Sequence, residues 1–312
     1  MSKSAEEGRD EICACCGASS WRLVPYVADI DYIACRVCDY HIQVRKDGED
    51  RATAFQREQD KFYSEDTVVV SPTLAEVTRE ITERRLRTIS SHLEPGASLI
   101  EAGPGAGDVL IALTDLGYRT AAAEHSQTLA QRLGTLREIP VFNGDFVEHP
   151  SSSDSFDAYC SFHVIEHVVN FRQHLEIARD RIKPGGLAFI ATPNAGGWEQ
   201  RLPFRLSPNN DSSHFQLFST RALERYLAAH GWEIVEMQTP SYAIAWLRIL
   251  TKILRRLRGQ DEGETGGQYA QEASRGATRA IAIFKVLTAP LRKLQERLKG
   301  GNEVFLVARK VR

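Results

Sequence analysis

No run in this 312-residue sequence is apolar for long enough to cross a bilayer, so a membrane-spanning helix is not expected. Residues 1–10 are polar and rich in charge, without the apolar stretch of a secretory signal. Net charge is nearly absent: 39 Lys and Arg stand against 41 Asp and Glu, giving −2. That balance argues against a general nucleic-acid binder. These absences predict a cytoplasmic protein whose six cysteines are reduced or metal-bound and not paired as disulfides. What is present is ordinary for a globular chain, 42% apolar and 26% charged. The length suffices for one large core with small appendages.

A third glycine is missing where a dinucleotide site needs it. Leu99-Ile100-Glu101-Ala102 reads as a buried strand ending at an acid, and Gly103-Pro104-Gly105-Ala106-Gly107 as a glycine-rich turn. Val109, Leu110, Leu113 and Leu116 then give the apolar stripe of a helix. Glycines there let the backbone come close to a ligand, because no Cβ intervenes and φ can be positive. The helix behind the turn offers unpaired N–H groups at its N-terminus. The fingerprint G-x-G-x-x-G places glycine at position 108, and Asp108 occupies it. The spacing E-x-G-x-G-x-G thus disfavours a nicotinamide-dependent dehydrogenase.

Paired cysteines dominate the N-terminal end. Cys13 and Cys16 with Cys35 and Cys38 form C-x2-C-x18-C-x2-C, a zinc-ribbon spacing in which each pair presents two thiolates to one tetrahedral ion. Gly17 suits the tight turn of a knuckle. Residues 21–26, 31–34 and 40–44 read as short strands. Cys15 is badly spaced to Cys16 for ligation, and Cys160 lies in an apolar strand and reads as core.

Four stretches follow from these signals: a zinc-ribbon-like module over 1–50, a linker and helix over 51–95, a ligand-binding core over 96–240 with 301–312, and a basic helical insertion over 241–300. Residues 1–10 read as disordered. Ser71-Pro72 opens the first long helix, with Ser as cap and Pro in its first turn. From residue 99 onward strands alternate with helices. Strands are expected at 118–124, 141–142, 156–161, 187–192, 232–237 and 303–308. Helices are expected at 127–136, 171–182 and 220–230, with Lys183-Pro184-Gly185-Gly186 as a helix stop. This alternation predicts an α/β fold with a doubly wound, mostly parallel seven-stranded sheet. The insertion carries two basic amphipathic helices, 243–258 and 279–299, separated by a flexible segment over 259–278. The helices fit peripheral contact with an anionic membrane face, a lid, an interface, or a hairpin packed on its own domain.

Acids recur at the expected ligand end of the strands. Glu124 follows the second strand, at about the distance from Glu101 where nucleotide-binding α/β folds place an acceptor for ribose hydroxyls. Asp145 follows the third, where a carboxylate can accept from an adenine amine, and Phe146 beside it can cover the base. Three carboxylates around one turn repel a phosphate. They suit an adenosine with a cationic or zwitterionic tail.

Taken together, Glu101-Ala102-Gly103-Pro104-Gly105-Ala106-Gly107, Glu124, Gly144-Asp145-Phe146, the run Ser161-Phe162-His163-Val164-Ile165-Glu166-His167-Val168 and the strand ending Thr192-Pro193-Asn194 resemble class I S-adenosylmethionine-dependent methyltransferases. The likeness covers roughly residues 71–240 and the final strand. It is nearest to the branch of ubiquinone-biosynthesis O-methyltransferases and sugar or secondary-metabolite methyltransferases. It implies the Rossmann-like methyltransferase fold and S-adenosylmethionine as cofactor. By the same likeness Glu101, Gly103, Gly105 and Gly107 line the methionine part, Glu124 takes the ribose and Asp145 the adenine, while Ser161 to His163 lie near the transferred methyl; His125 and Phe146 are further expected cofactor contacts. Structural Zn2+ on the four cysteines is the second expected cofactor.

The expected acceptor is a small-molecule or lipid-linked hydroxyl of a sugar or secondary metabolite. Methyl transfer to a hydroxyl needs a base for its proton. The candidates are His167 and His214, then His163, with Glu166 orienting His167 or helping to hold a divalent ion. Nucleic-acid methylation is not expected, because no N/D-P-P-Y/F signature stands after the fourth strand. An alternative reading is a non-catalytic adaptor of the same fold that docks on a membrane or partner through its basic helices.

Overall fold

The computed structural model describes residues 11–25, 30–45, 50, 53, 57, 72–201, 213–258 and 275–311. The expected disorder over 1–10, most of the linker over 51–70 and most of the flexible segment over 259–278 lie outside the described residues, as does the capping residue Ser71.

The core is a seven-stranded sheet. Its strands are β4 (Ser98–Ala102), β5 (Arg119–Glu124), β6 (Val141–Asn143), β7 (Phe156–Phe162), β8 (Ile182–Pro193), β10 (Trp232–Gln238) and β11 (Glu303–Lys310), in the order β10-β11-β8-β7-β4-β5-β6. β6, β5, β4, β7 and β8 run parallel, and β11 inserts antiparallel between β8 and β10. Leu99, Ile100, Ala102, Tyr159, Cys160, Phe189 and Phe305 are buried, as central strands covered on both faces require. The helices are α1 (Pro72–His92), α2 (Asp108–Asp115), α3 (Gln127–Arg137), α4 (Phe171–Arg181), α5 (Thr220–Ala229), α6 (Ala243–Leu257) and α7 (Arg275–Arg297).

Side-chain caps set the helix starts within the core. Ser126 accepts from the Leu129 N–H, Asn170 from that of Gln173 and Ser219 from that of Ala222. α4 ends at Arg181, in line with the expected stop at 183–186, and those four residues form an excursion within β8. Pairing steps from Phe156 opposite Ile182 to Ala158 opposite Leu187, so these four residues bulge against Asp157 alone. Asp157 clamps the bulge by accepting from Lys183 Nζ at 2.7 Å and from the N–H and Oγ of Ser98 at 2.8 and 2.7 Å.

The cysteine-bearing segment forms a second sheet from β1 (Trp21–Pro25), β2 (Ile30–Cys35) and β3 (His41–Arg45). A fourth strand, β9 (Gln216–Leu217), comes from the stretch between β8 and α5 and pairs with β3, His41 opposite Leu217 and Ile42 opposite Gln216. Two residues are too short a run to show in sequence periodicity. They tie the ribbon to the core.

The insertion packs partly on the body. α7 runs through Pro290 without ending there. Arg292 of α7 reaches Glu80 of α1 at 3.0 Å, and Glu296 accepts from Arg84 at 3.0 Å.

Candidate active site

β4 lies at the switch point of the sheet: the chain proceeds from it through β5 and β6 on one side, then crosses to β7 and β8 on the other. Open α/β sheets bind ligands at the carboxyl ends of strands at such a point. Ala102 stands opposite Ala123 on β5 and Ser161 on β7, and Glu124 stands opposite Asn143 on β6. This register brings Asp145, Glu124, the 103–107 turn and Ser161 side by side along one edge.

The three glycines of the turn all have positive φ, but a Cβ would meet different things at each. At Gly107 it would come within 2.2 Å of Leu133 Cδ2, so this glycine serves the packing of α3 against the turn. At Gly103 it would touch Val164 at 3.0 Å. At Gly105 it would meet nothing within 4 Å. Gly105 therefore opens its backbone to the space above the turn, where a ligand can approach.

Glu101 is buried, and its Oε2 has no hydrogen-bond partner. Burial, with the nearby Glu124 and Asp108 charges and against the pull of Arg85, pushes its carboxyl up to about 8. Glu124 is buried too and is raised by that burial, although it accepts from the Ser126 N–H at 2.8 Å and the Gly105 N–H at 3.0 Å. The second acid therefore grips the glycine turn directly.

Asp145 caps a short 3-10 turn (Phe146–Glu148), its Oδ1 accepting from the Val147 N–H at 3.1 Å. Phe146 departs from expectation. Its ring is buried against Tyr159 and His174, with centroids 5.1 and 4.9 Å away, and Arg181 sits over it at 4.8 Å. An aromatic ring spent on the core does not cover a base. His125 is exposed at the rim after β5, and Ser161 is fully buried at the end of β7.

The run after β7 carries the polar centre. His163 adopts φ +59°, a left-handed backbone that is costly for a non-glycine residue. Its Nδ1 lies 3.1 Å from Glu166 Oε1 and its Nε2 2.7 Å from Glu303 Oε2. Desolvation alone would lower its pKa, but the two carboxylates outweigh it and raise the imidazole to about 9. An imidazolium held between two acids is already protonated at neutral pH, which removes His163 from the candidate bases.

Glu166 is fully buried, and burial would raise it. The His163 contact overrides this and holds its carboxyl at about 2, and Oε2 also accepts from Thr192 Oγ1 at 2.9 Å. His167 lies with Nδ1 3.0 Å from the Ser213 carbonyl and Nε2 3.9 Å from Glu166 Oε1, and its ring meets that of His214 edge-on at 4.6 Å. A carbonyl can only accept, so Nδ1 carries a proton. Glu166, His167 and His214 together offer three donor atoms within 4.8 Å of one another.

Glu303 escaped the sequence reading. It is buried at the start of β11 and accepts from Arg85 at 3.2 Å and from the Tyr242 hydroxyl at 3.1 Å besides His163. A single acid before an apolar strand reads as solvated, and only the antiparallel insertion of β11 beside β8 brings it under the β7 loop.

At the other end the sulfurs of Cys13, Cys16, Cys35 and Cys38 lie within 4.8 Å of one another, with Cys13 to Cys38 at 3.5 Å and Cys16 to Cys35 at 3.6 Å. A tetrahedral Zn–S4 centre with bonds near 2.3 Å separates its sulfurs by about 3.8 Å, so the cluster is compatible with that ion. In each knuckle the residue after the second cysteine of the pair takes a left-handed turn, Gly17 with φ +72° and Asp39 with φ +59°. The ribbon also touches the site. Tyr32 donates its hydroxyl to the His214 carbonyl at 2.7 Å and Gln43 donates to the same oxygen at 3.2 Å. Ser219 Oγ donates to the Cys38 carbonyl at 2.5 Å, and Gln216 accepts from the Tyr40 hydroxyl at 2.6 Å.

A methyltransferase-domain family matches residues 74–237, more than half of the chain. The chain belongs to the class I S-adenosylmethionine-dependent methyltransferases. It is similar to a demethylmenaquinone methyltransferase of Corynebacterium urealyticum, 29% identical over 231 residues that cover 68% of this chain and 97% of the relative. It is also similar to a mitochondrial ubiquinone biosynthesis O-methyltransferase of Dictyostelium discoideum, 30% identical over 94 residues that cover 28% of this chain and 29% of the relative. Among solved structures, Haemonchus contortus phosphoethanolamine N-methyltransferase 2, in complex with phosphomonomethylethanolamine and S-adenosylhomocysteine, superposes with a TM-score of 0.54 at 16% identity, covering 83% of this chain and 60% of that one. At that identity the likeness shows the fold alone. This methyltransferase has no helix among its described residues that is long and apolar enough to cross a membrane.

Proposed function

We propose that this methyltransferase moves a methyl group to a hydroxyl of a small-molecule or lipid-linked acceptor, a sugar or secondary metabolite, with His167 as the base. The observation that carries the reading is the His167 contact with the Ser213 carbonyl: it holds a proton on Nδ1, so in the neutral imidazole Nε2 is the nitrogen that takes up the acceptor's proton. Glu166, held ionised by His163, stabilises the imidazolium that forms. His214 packs edge-on against the same ring and orients it.

Two features fit the cofactor to the glycine turn, the unpartnered Glu101 Oε2 and the open approach above Gly105. S-Adenosylmethionine supplies an activated methyl on a sulfonium, so placement for in-line attack accounts for much of the rate. In this reading Glu101 faces the cationic methionine half, with the backbone of Gly103, Gly105 and Gly107 along it. Glu124 takes the ribose hydroxyls with His125 at its rim, and Asp145 takes the adenine amine. Ser161 closes the floor beside the transferred group.

The four cysteines hold a structural Zn2+ in this reading, and 1–50, 51–95, 96–240 with 301–312, and 241–300 are its domain divisions. The ion folds the ribbon and takes no part in methyl transfer.

Calorimetry with S-adenosylhomocysteine, followed by labelled methyl transfer to an acceptor panel, tests the assignment. His167→Ala should bind the product cofactor like wild type and lose turnover. Glu124→Ala should lose binding. Undiminished turnover in His167→Ala overturns the base.

A second reading rests on the three donors of Glu166, His167 and His214, which suit a divalent ion that orients the acceptor oxygen. It predicts turnover that depends on added Mn2+ or Fe2+ after chelation, with zinc still on the cysteines.

A further inference from the structure

We infer that the outward face of α7 is a docking surface for an anionic lipid bilayer. This helix is mounted inside out. A helix on a soluble domain buries its apolar stripe and gives its polar side to water. α7 does the reverse. Its inward side is polar: Arg292 donates to Glu80 and to the Ser241 carbonyl at 3.0 and 2.9 Å, Glu296 accepts from Arg84 and the Ser241 N–H at 3.0 and 2.9 Å, and Gln295 donates to the Gly300 carbonyl at 2.7 Å. Its outward side carries Ile283, Val286, Leu287, Leu291 and Leu294, and Leu298 continues the stripe just past the helix end. Val286 and Leu287 are each 73% exposed. Leu287, Leu291, Leu294 and Leu298 follow Ile283 at spacings of four, four, three and four residues, and Val286 lies three residues after Ile283, so these six share one stripe.

The charge on this face selects its occupant. Lys293 and Arg297 are exposed along the same side, and Lys299 follows. Among the described side chains of residues 282–299 the one acid is Glu296, and it is engaged inward. The neighbouring helix α6 has no acid in its sequence and exposes Leu250, Leu254 and, just past its end, Arg258. A second copy seated on this face by a two-fold axis would set cation against cation around the apolar stripe. An anionic membrane interface takes the leucines into the headgroup and acyl boundary and the cations against its phosphates. The inference stands apart from the choice of acceptor, because a surface that holds the enzyme on lipid serves any acceptor found there.

Cosedimentation of the full chain with vesicles tests it. One set is phosphatidylcholine alone, and in the other about a third of the lipid is phosphatidylglycerol. Wild type should bind the anionic vesicles and release them at high salt. Val286→Asp with Leu287→Asp should lower binding at least about ten-fold, and Lys293→Glu with Arg297→Glu should abolish the preference for the anionic lipid. Both pairs lie on the exposed face, so their melting temperatures and S-adenosylhomocysteine affinities should match wild type. Three results overturn the inference. The first is no binding to either vesicle, or binding equal in wild type and variants. The second is a wild-type dimer that the Val286 and Leu287 substitutions dissolve, which would place a second copy on the face. The third is vesicle binding only after deletion of residues 259–274, which would make that acidic stretch the occupant.

Discussion

His163 Nε2 lies 2.7 Å from Glu303 Oε2, across 140 residues of chain, and joins the loop after β7 to the first residue of β11. Glu303 is almost fully buried while the His163 side chain is 41% exposed, so the pair is buried on its acidic side only. Removing the acid leaves Arg85 and the imidazolium without their shared partner. Glu303→Gln should cost about 2 kcal/mol, below the value for fully buried pairs because water reaches the imidazole. It should also lower the His163 pKa from about 9, since one of two stabilising carboxylates is gone. Thermal melts and histidine NMR titration check both effects, and an unchanged melting temperature together with an unchanged His163 titration contradicts them.

With Glu101 facing the cofactor as proposed, cofactor binding becomes a proton-linked event. Its carboxyl, pushed up to about 8 by burial, is mostly protonated at pH 7 in the free enzyme. A cationic ligand beside it favours the carboxylate and lowers that pKa. Binding should therefore release a proton, about 0.9 per site at pH 7, and affinity should rise with pH toward 8. Calorimetry in buffers of different ionisation enthalpy reads the release, which Glu101→Gln should abolish. The sign for stability is opposite. A carboxyl whose folded pKa is raised keeps its proton longer folded than unfolded, so the stability of the free enzyme should fall as pH rises from the ordinary glutamate range through about 8.

Gly105 and Gly107 are two residues apart and should fail in different ways. Gly107→Ala forces a side chain into a left-handed position and against Leu133, at a cost of about 2–3 kcal/mol in a melt. Gly105→Ala meets no neighbour and should cost about 1 kcal/mol, yet weaken S-adenosylhomocysteine binding ten-fold or more because its methyl occupies the approach. Equal melting temperatures for the two variants would contradict the distinction.

Two ribbon side chains hold the His214 carbonyl, so the ribbon should be felt in turnover. Tyr32→Phe removes one of those hydrogen bonds, worth about 1 kcal/mol. Its expected effect is a several-fold lower kcat with S-adenosylhomocysteine affinity unchanged. Cys35→Ser should lose one equivalent of zinc by metal analysis and lower kcat further. A Cys35→Ser enzyme with full kcat would separate the ribbon from the site.

Much of this was legible in the residues, for a physical reason. Strand periodicity, alternating glycines and acids at strand ends are local signals, and β4, the 103–107 turn, Glu101 and Glu124 could all be read from them. The four-cysteine cluster was equally plain, because the spacing within each pair is local. Phe146 was misread because an aromatic beside a ligand acid is also good core material, and Tyr159 and His174 lie within its reach only in the folded sheet. Glu303, Thr192 and β9 were silent for the same reason: each acts on partners at least 26 residues away, through pairings that no short window contains. The inside-out mounting of α7 was half visible. Its amphipathic pattern could be read, but which side faces the body depends on Glu80, Arg84 and Ser241.

The insertion of β11 between β8 and β10 orders events during synthesis. When the ribosome has released β10, the one neighbour it has among the described strands is still to be made. More than sixty residues must emerge before Glu303 through Lys310 can slot into the gap. Until then one side of β8 stays open and His163 has only one of its two acids. A nascent chain can thus possess the glycine turn with Glu101 and Glu124 while lacking a closed sheet, and the sheet is completed in one late step.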